Sequence, residues 1–218
     1  MNIHHQKVYN FGYSALIKVY IISWLIIVDT HPKSCQPFSH SYICIMQNIL
    51  AICGSTRAES SNHRLIGAIK ELYAGKLNIV LFESISLLPH FNPDLADDHT
   101  PDAVKEFRQK LRDADGVLIC TPEYAHGIPG SLKNAIDWTV SSNEFSQKPV
   151  VLITASTDGK FAHTALLEIL RTIETKETEQ LQLLIPFVQT KISKDSLITD
   201  EKTLEEVKAV MEKLISMI

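Results

Sequence analysis

The chain has 218 residues, a formal net charge of −4 and 45% hydrophobic residues, which is the composition of an ordinary globular protein. Because it carries no basic surplus to neutralise a phosphate backbone, the composition argues against binding to DNA or RNA. Its four cysteines have neither metal-ligand nor C-x-x-C spacing and are too few for a disulfide scaffold, so we expect a reduced cytoplasmic protein without a bound metal ion.

The first 45 residues differ in character from the rest of the chain. Their apolar stretch, VYIISWLIIV (residues 19–28), is shorter than the roughly 20 residues that a membrane-spanning helix needs. The residues DTHP that follow do not resemble the small-residue cleavage site of a signal peptide. We therefore predict that residues 1–45 are an extension outside the domain, upstream of a translation start at Met46. We prefer this interpretation to a membrane anchor, and we expect no membrane partner.

From Met46 onward, apolar runs of strand length alternate with helical patterns. The runs predict strands at residues 48–53, 77–82, 116–121, 149–156 and 181–188. Apolar residues at helical spacing follow every strand: Leu65, Ala68, Ile69 and Leu72; Val104, Phe107 and Leu111; Leu132, Ala135, Ile136 and Val140; Leu166, Ile169, Leu170 and Ile173; Leu204, Val207, Met211 and Leu214. Pro101 and Pro129 are expected to open the second and third helices. Residues 46–218 are therefore predicted to form an α/β domain with a doubly wound, five-stranded parallel sheet in three α/β/α layers.

The loop after the first predicted strand, GSTRAESSN (residues 54–62), has the features of an anion site. It offers several hydroxyl groups, an amide and a guanidinium group next to the positive end of a helix. The simpler interpretation is that Ser60, Ser61 or Asn62 only caps that helix. Since a cap does not require Ser55 and Arg57 as well, we predict a phosphate site.

The surroundings of this loop limit which phosphate it can bind. The dinucleotide motif G-x-G-x-x-G and the Walker motif are both missing, because Gly54 stands alone. A cysteine phosphatase loop requires an arginine at the position that Glu59 occupies. The ligand that remains after these exclusions is a terminal monophosphate, such as that of flavin mononucleotide (FMN).

Two further loops follow the third and fourth predicted strands, at the same sheet edge as the phosphate loop. The first, TPEYAHGIPG (residues 121–130), is stiffened by two prolines, while Gly127 and Gly130 allow a close approach of the backbone to a flat ring. The alternative is that Tyr124 and His126 are surface residues of a turn. The other loop, STDG (residues 156–159), is small enough to line the opposite ring edge.

The motifs GSTRAESSN, LPHFNPD, TPEYAHGIPGSLKNAIDW and ASTDG together resemble the NADPH-dependent FMN reductase family, which is flavodoxin-like, over about residues 47–218. The resemblance implies FMN as cofactor, NADPH or NADH as hydride donor, and a homodimer or homotetramer. It implies that the FMN phosphate is bound by Ser55, Arg57, Ser61 and Asn62. It also implies that the flavin ring meets Pro122, Glu123, Tyr124, Ala125, His126, Gly127, Ser156 and Gly159.

The sequence departs from the family pattern at two places. The family often has asparagine after the P-E-Y tyrosine, and Ala125 removes that side-chain contact. Where the family often has a glycine pair, this chain has Phe161, Ala162 and His163, whose bulk is expected to narrow the nicotinamide or acceptor site.

The function expected from this resemblance is that of an FMN-dependent NAD(P)H oxidoreductase acting on a quinone-like or other small acceptor. No side chain is required as a catalytic acid or base, because the flavin carries the chemistry. One alternative is a non-catalytic FMN-binding redox sensor or partner-binding module. Another is a dehydrogenase that binds a ribose through Glu83. Trp138 is expected to lie off the inner face of its helix, available to a subunit contact.

Overall fold

The computed structural model describes residues 8–9, 17–22, 25–30, 46–95 and 99–218, and the chain divides into two units, residues 1–44 and 45–218. The first unit contains the short strands β1 (Val8–Tyr9), β2 (Ile17–Ile22) and β3 (Leu25–Thr30), which pair in that order in an antiparallel sheet. The apolar stretch at residues 19–28 therefore contributes to β2 and β3. Cys35 and Cys44 lie outside the described residues, and the role of residues 1–45 stays a prediction.

The second unit is built on a five-stranded parallel sheet. Its strands are β4 (Gln47–Cys53), β5 (Leu77–Phe82), β6 (Gly116–Thr121), β7 (Val150–Ala155) and β8 (Gln182–Ile185), in the order β5-β4-β6-β7-β8. This is the flavodoxin-like order, in which the connections reverse direction beside the first strand. The predicted fold class is confirmed.

Five helices cover the two faces of the sheet: α1 (Ser61–Leu72), α2 (Asp102–Asp113), α3 (Gly130–Asp137), α4 (Lys160–Thr172) and α5 (Glu201–Ile215). Helices α1 and α5 bury apolar residues such as Leu65 and Met211 on one face, while α2, α3 and α4 bury residues such as Phe107, Leu132 and Leu166 on the other. None of the helices in the described part of the chain is long and apolar enough to span a bilayer.

Side chains and prolines define where the helices begin. Ser60 accepts a hydrogen bond from the His63 N–H and caps α1. Asp200 caps α5 in the same way through the Thr203 N–H, at 2.9 Å. Pro101 and Pro129 immediately precede α2 and α3, so both prolines open helices as predicted.

The end of α3 differs from the prediction. The helix stops at Asp137, so Val140 does not continue its inner face and is 54% exposed. Trp138 follows the helix and is fully buried; its indole N–H donates to the Pro89 carbonyl at 2.7 Å, and its ring meets that of Phe91 edge-on at 5.1 Å. The expectation that Trp138 is available to a subunit contact is therefore wrong, because the long loop after β5 folds back over it.

Gly54 is required where the chain leaves β4. Its N–H donates to the Cys120 carbonyl at 2.8 Å, which extends the pairing of β4 with β6 by one residue. A Cβ atom at this position would lie 2.4 Å from the Thr121 hydroxyl oxygen and 3.2 Å from a methyl group of Leu132. The loop can therefore lie this close to β6 only if residue 54 has no side chain.

We predict that Gly54→Ala lowers the free energy of unfolding by about 1–3 kcal/mol, because the added methyl group must displace buried neighbours. Gly75→Ala is the matched control, since nothing lies within 4 Å of a Cβ atom built there. Urea unfolding measures both variants, with the dependence of the free energy of unfolding on urea concentration held equal. Equal stability of the two would contradict the close approach at residue 54.

Candidate functional site

The loops after β4, β6 and β7 meet at one edge of the sheet and enclose a cavity of about 320 Å³. Eight of the predicted cofactor residues line it: Ser55, Arg57, Ser61, Asn62, Pro122, Glu123, Tyr124 and Ser156. Four do not: Ala125, His126, Gly127 and Gly159. The lining also includes Ser60, Ala155, Thr157, Phe187, Val188, Gln189 and Thr190.

The serines of the phosphate loop have different hydrogen-bond partners. The Ser55 hydroxyl is buried and accepts from the Arg57 N–H at 3.3 Å, which stabilises the turn of the loop. The Ser60 hydroxyl accepts from the His63 N–H at 3.1 Å and lies 2.8 Å from the His63 Nδ1. Ser60 is thus committed to capping α1, which agrees with the simpler interpretation for that residue alone.

Asn62 connects the phosphate loop to the opposite side of the cavity. Its side-chain amide donates to the Ala155 carbonyl at 3.0 Å, at the end of β7. Its Oδ1 is buried and has no hydrogen-bond partner among the described residues. A buried amide oxygen without a partner is unfavourable, so this atom is suited to a donor on a ligand.

The electrostatics of the loop favour an anion. The first turn of α1 contains no acidic residue, so no carboxylate within that turn opposes the positive end of the helix. Arg57 lines the cavity and its side chain is exposed. Hydroxyl groups and one guanidinium group therefore line the cavity beside the start of α1, where a phosphate is expected.

The tip of the second loop is a tight hairpin. Tyr124 and Gly127 exchange backbone hydrogen bonds of 2.9 and 3.0 Å, and the two residues between them, Ala125 and His126, have φ angles of 49° and 57°. Two consecutive residues with positive φ identify a type I′ turn, for which asparagine and glycine are preferred. Alanine at residue 125 therefore destabilises the turn.

Glu123 joins the second and third loops. Its carboxylate accepts a hydrogen bond from the Ala162 N–H at 2.9 Å, at the start of α4, and its own N–H donates to the Ser156 hydroxyl at 3.3 Å. The Tyr124 hydroxyl lies 3.4 Å from that of Ser55 and so joins the second loop to the first. The three loops are thus held together by side chains that also line the cavity.

Gly159 serves the backbone of the third loop. Its φ of 89° is left-handed, and a Cβ atom there would lie 2.9 Å from a methyl group of Leu184. Only glycine meets both requirements without strain. Contact of Gly159 with a flavin ring stays a prediction, as it does for the other residues assigned by resemblance.

The bulky residues after Gly159 point in different directions. Ala162 is buried, and His163 turns inward to pair with the Thr154 hydroxyl at 3.0 Å and the Gln182 amide oxygen at 2.9 Å. His163 therefore does not narrow the site. Phe161 is 53% exposed and stacks on His126 with ring centroids 4.3 Å apart, which links the second loop to the first turn of α4 outside the cavity.

A fourth segment, residues 187–190, lines the cavity and was missed from the sequence. Strand β8 ends at Ile185, three residues before the predicted end, and the chain then crosses the third loop. The N–H groups of Phe187 and Val188 donate to the carbonyls of Thr157 and Ser156, each at 3.1 Å. Pro186 was the available signal, because proline interrupts a strand.

Cys53 and Cys120 are buried behind the phosphate loop. Burial raises the pKa of Cys53 to about 11 and raises that of Cys120 as well, so both thiols are protonated near neutral pH. In the described part of the chain, no group of three or more His, Cys, Asp or Glu side chains is placed to hold a metal ion.

Comparison with known proteins identifies the family of the chain. A family model described as NADPH-dependent FMN reductase matches residues 47–190. The chain belongs to the NADPH-dependent FMN reductase family. The resemblance inferred from the loop motifs is confirmed.

Individual relatives in this family match to different extents. The chain is 36% identical over 110 residues to the NADH:(hydroxy)cinnamate reductase subunit CrdA of Vibrio ruber, covering 50% of this chain and 54% of that protein. It thus spans about half the length of that relative. It is 31% identical over 172 residues to the NAD(P)H-dependent FMN reductase PA1204 of Pseudomonas aeruginosa, covering 76% of this chain and 92% of that protein.

A solved structure shows the same fold. The flavoenzyme NAD(P)H:(acceptor) oxidoreductase FerB from Paracoccus denitrificans superposes with a TM-score of 0.63 at 26% sequence identity. The superposition covers 78% of this chain and 96% of FerB.

The residues lining the cavity fit the FMN of this reductase family. The hydroxyls of Ser55 and Ser61, with Arg57 and the start of α1, match a phosphate monoester. The unpartnered Asn62 Oδ1 matches a hydroxyl donor such as those of a ribityl chain.

We predict that Ala125→Asn raises the free energy of unfolding by about 0.5–1 kcal/mol, because asparagine tolerates the left-handed conformation better than alanine. Ala74→Asn is the matched control, since Ala74 is exposed and does not have a positive φ. Thermal denaturation measures both variants. A midpoint for Ala125→Asn at or below that of the unmodified chain would contradict the turn assignment.

The burial of His163 leads us to predict that stability depends on pH. Burial lowers its pKa below the ordinary 6.5, so the unfolded state binds its proton more readily than the folded state. The free energy of unfolding should therefore fall as the pH is lowered through 6.5 towards the folded pKa. His163→Gln should flatten this part of the profile in urea titrations. An unchanged slope between about pH 7 and pH 5 would exclude His163 as its source.

Proposed function

We propose that the chain is an FMN-dependent oxidoreductase that takes hydride from NADH or NADPH and reduces a quinone-like or other small acceptor. The observation that carries the proposal is the buried, hydroxyl-lined cradle at the start of α1, which shares one cavity with the Pro122–Tyr124 loop. When bound, FMN supplies the hydride-accepting and hydride-donating chemistry.

The phosphate end of the cavity supplies binding energy and orientation. Ser55 and Ser61 are 2% and 5% exposed, so their hydroxyls are shielded from bulk water while facing the cavity. Arg57 adds a positive charge from the exposed side of the loop. Charge-assisted hydrogen bonds of this kind are stronger than neutral ones, and they fix the cofactor's position along the sheet edge.

The end of the cavity where we place the flavin ring is formed by backbone that side-chain hydroxyls hold in place. The Thr121 hydroxyl donates to the Pro122 carbonyl at 3.1 Å, and Ser156 holds the Glu123 N–H. Tyr124 and Phe187 line the cavity and are 53% and 64% exposed. The loop therefore offers edge contacts while two exposed aromatic rings border the opening.

The titratable side chains that line the cavity in the described part of the chain are Arg57, Glu123 and Tyr124. The Glu123 carboxylate is already bonded to the start of α4. This arrangement supports the expectation that the chain positions a cofactor and an acceptor, and does not require a side chain as acid or base.

The class of acceptor is proposed from relatives. A quinone reductase of Pseudomonas putida is 37% identical over 114 residues, covering 50% of this chain and 60% of that protein. We further propose that the protein is cytoplasmic and homo-oligomeric, that residues 46–218 are the functional domain, and that residues 1–45 are an extension.

One observation favours a second function, a non-catalytic flavin sensor or partner-binding module. The Phe161–His126 stack joins the second loop to the first turn of α4, where the family pattern often has a glycine pair. If this stack lies where a nicotinamide must approach, the chain would bind FMN without being reduced by NADPH.

The deciding measurement is the visible absorption spectrum of the full chain with FMN, before and after anaerobic addition of NADPH or NADH. We expect a protein-bound flavin spectrum that bleaches and that returns when a quinone is added. Bound flavin that does not bleach in the unmodified chain but bleaches in Phe161→Ala would select the sensor. No flavin binding would overturn both functions.

A further inference from the structure

Arg64 contacts the phosphate loop from behind. Its Nη2 donates to the Ser61 hydroxyl oxygen at 3.1 Å, and its Nη1 donates to the Glu59 carbonyl at 3.3 Å. Arg64 does not line the cavity, whereas Ser61 does and is 5% exposed. The guanidinium group therefore reaches the cavity only through Ser61.

The hydrogen-bond capacity of Ser61 determines what this contact does. A hydroxyl has one proton to donate and two lone pairs to accept with. Since Arg64 can only donate, the Ser61 oxygen must accept from it, and the Ser61 proton is left for another acceptor. Ser60 differs, because its hydroxyl pairs with both the backbone N–H and the Nδ1 of His63.

The backbone of Arg64 is held in the first turn of α1. Its backbone N–H donates to the Ser60 carbonyl at 3.1 Å, and the residue is half-buried on α1. Its Nε is buried without a hydrogen-bond partner among the described residues, so the side chain is not oriented by an ion pair through that atom. The first turn of α1 contains no acidic residue to neutralise it.

We propose that Arg64 is a positioning residue for the FMN phosphate: it orients the Ser61 hydroxyl so that its proton points to the anion, and it adds positive charge behind the cradle. This inference rests on the proposed function, because it takes FMN as the ligand. Arg57, which lines the cavity, is the direct cationic contact, and Arg64 acts behind it.

The test compares FMN with riboflavin, which lacks the phosphate, by flavin fluorescence quenching on the full chain. Arg64→Met is expected to weaken FMN binding about tenfold, because the Ser61 hydroxyl is no longer oriented towards the phosphate and the positive charge behind it is lost. Riboflavin binding should change by less than about threefold. Arg64→Lys keeps the charge but loses the fork of donors. Its FMN affinity should lie between that of the unmodified chain and that of Arg64→Met.

The matched control is Lys70→Met, which removes the same charge from the last turn of the same helix. It should leave the ratio of FMN to riboflavin affinity unchanged. Circular dichroism and thermal midpoints of all variants report any loss of folding separately from binding.

A double-mutant cycle tests whether Arg64 acts through Ser61. If it does, Arg64→Met should weaken FMN binding much less in a Ser61→Ala background than in the unmodified chain. Three outcomes would overturn this inference and leave the proposed function standing. They are equal weakening of FMN and riboflavin binding, additive effects of the two substitutions, and unchanged FMN affinity in Arg64→Met. Failure of the unmodified chain to bind FMN would overturn the proposed function and this inference with it.

Discussion

The alignment of the carboxyl ends of three parallel strands is the constraint on which the site depends. Cys53 at the end of β4 lies beside Cys120 of β6, and Thr121 lies beside Thr154 of β7. Parallel strands cannot be joined by tight hairpins, so each connection leaves at this edge and returns through a helix. The loops that carry the polar residues therefore meet here. Gly54 allows the first of them to pack directly against β6.

Once the loops meet, side chains hold them together. Tyr124 approaches Ser55, Glu123 bonds to the start of α4, and Asn62 bonds to the end of β7. These contacts belong to the same residues that the family resemblance assigns to the cofactor. A substitution at Glu123 would consequently change both the shape of the site and any contact with a ligand, and loss of flavin binding there would not identify a direct contact.

The strands, the cap of α1 and the opening of α2 and α3 were predictable because they depend on local periodicity, prolines and capping residues. Trp138 was not, because its burial depends on where α3 ends and on a loop that folds back from about 50 residues earlier in the chain. Phe187 was missed for a similar reason: an apolar run does not show where a strand stops pairing. His163 and Phe161 are near neighbours in sequence, but His163 turns inward on α4 while Phe161 is exposed. Noting only that bulky residues replace a glycine pair does not show which way each side chain points.

The unused hydrogen-bond capacity at the cavity is of two opposite kinds. Ser61, which accepts from Arg64, has a proton to donate, whereas the Asn62 Oδ1 has a lone pair and no donor among the described residues. Inorganic phosphate at neutral pH would satisfy the first need but offers few protons for the second. A phosphate ester on a polyhydroxylated chain brings anionic oxygens and hydroxyl donors together, so neighbouring residues 61 and 62 would be satisfied by different parts of one ligand. The unused donor of Ser61 and the unused acceptor of Asn62 at the start of α1 therefore favour a ribityl phosphate over a free anion.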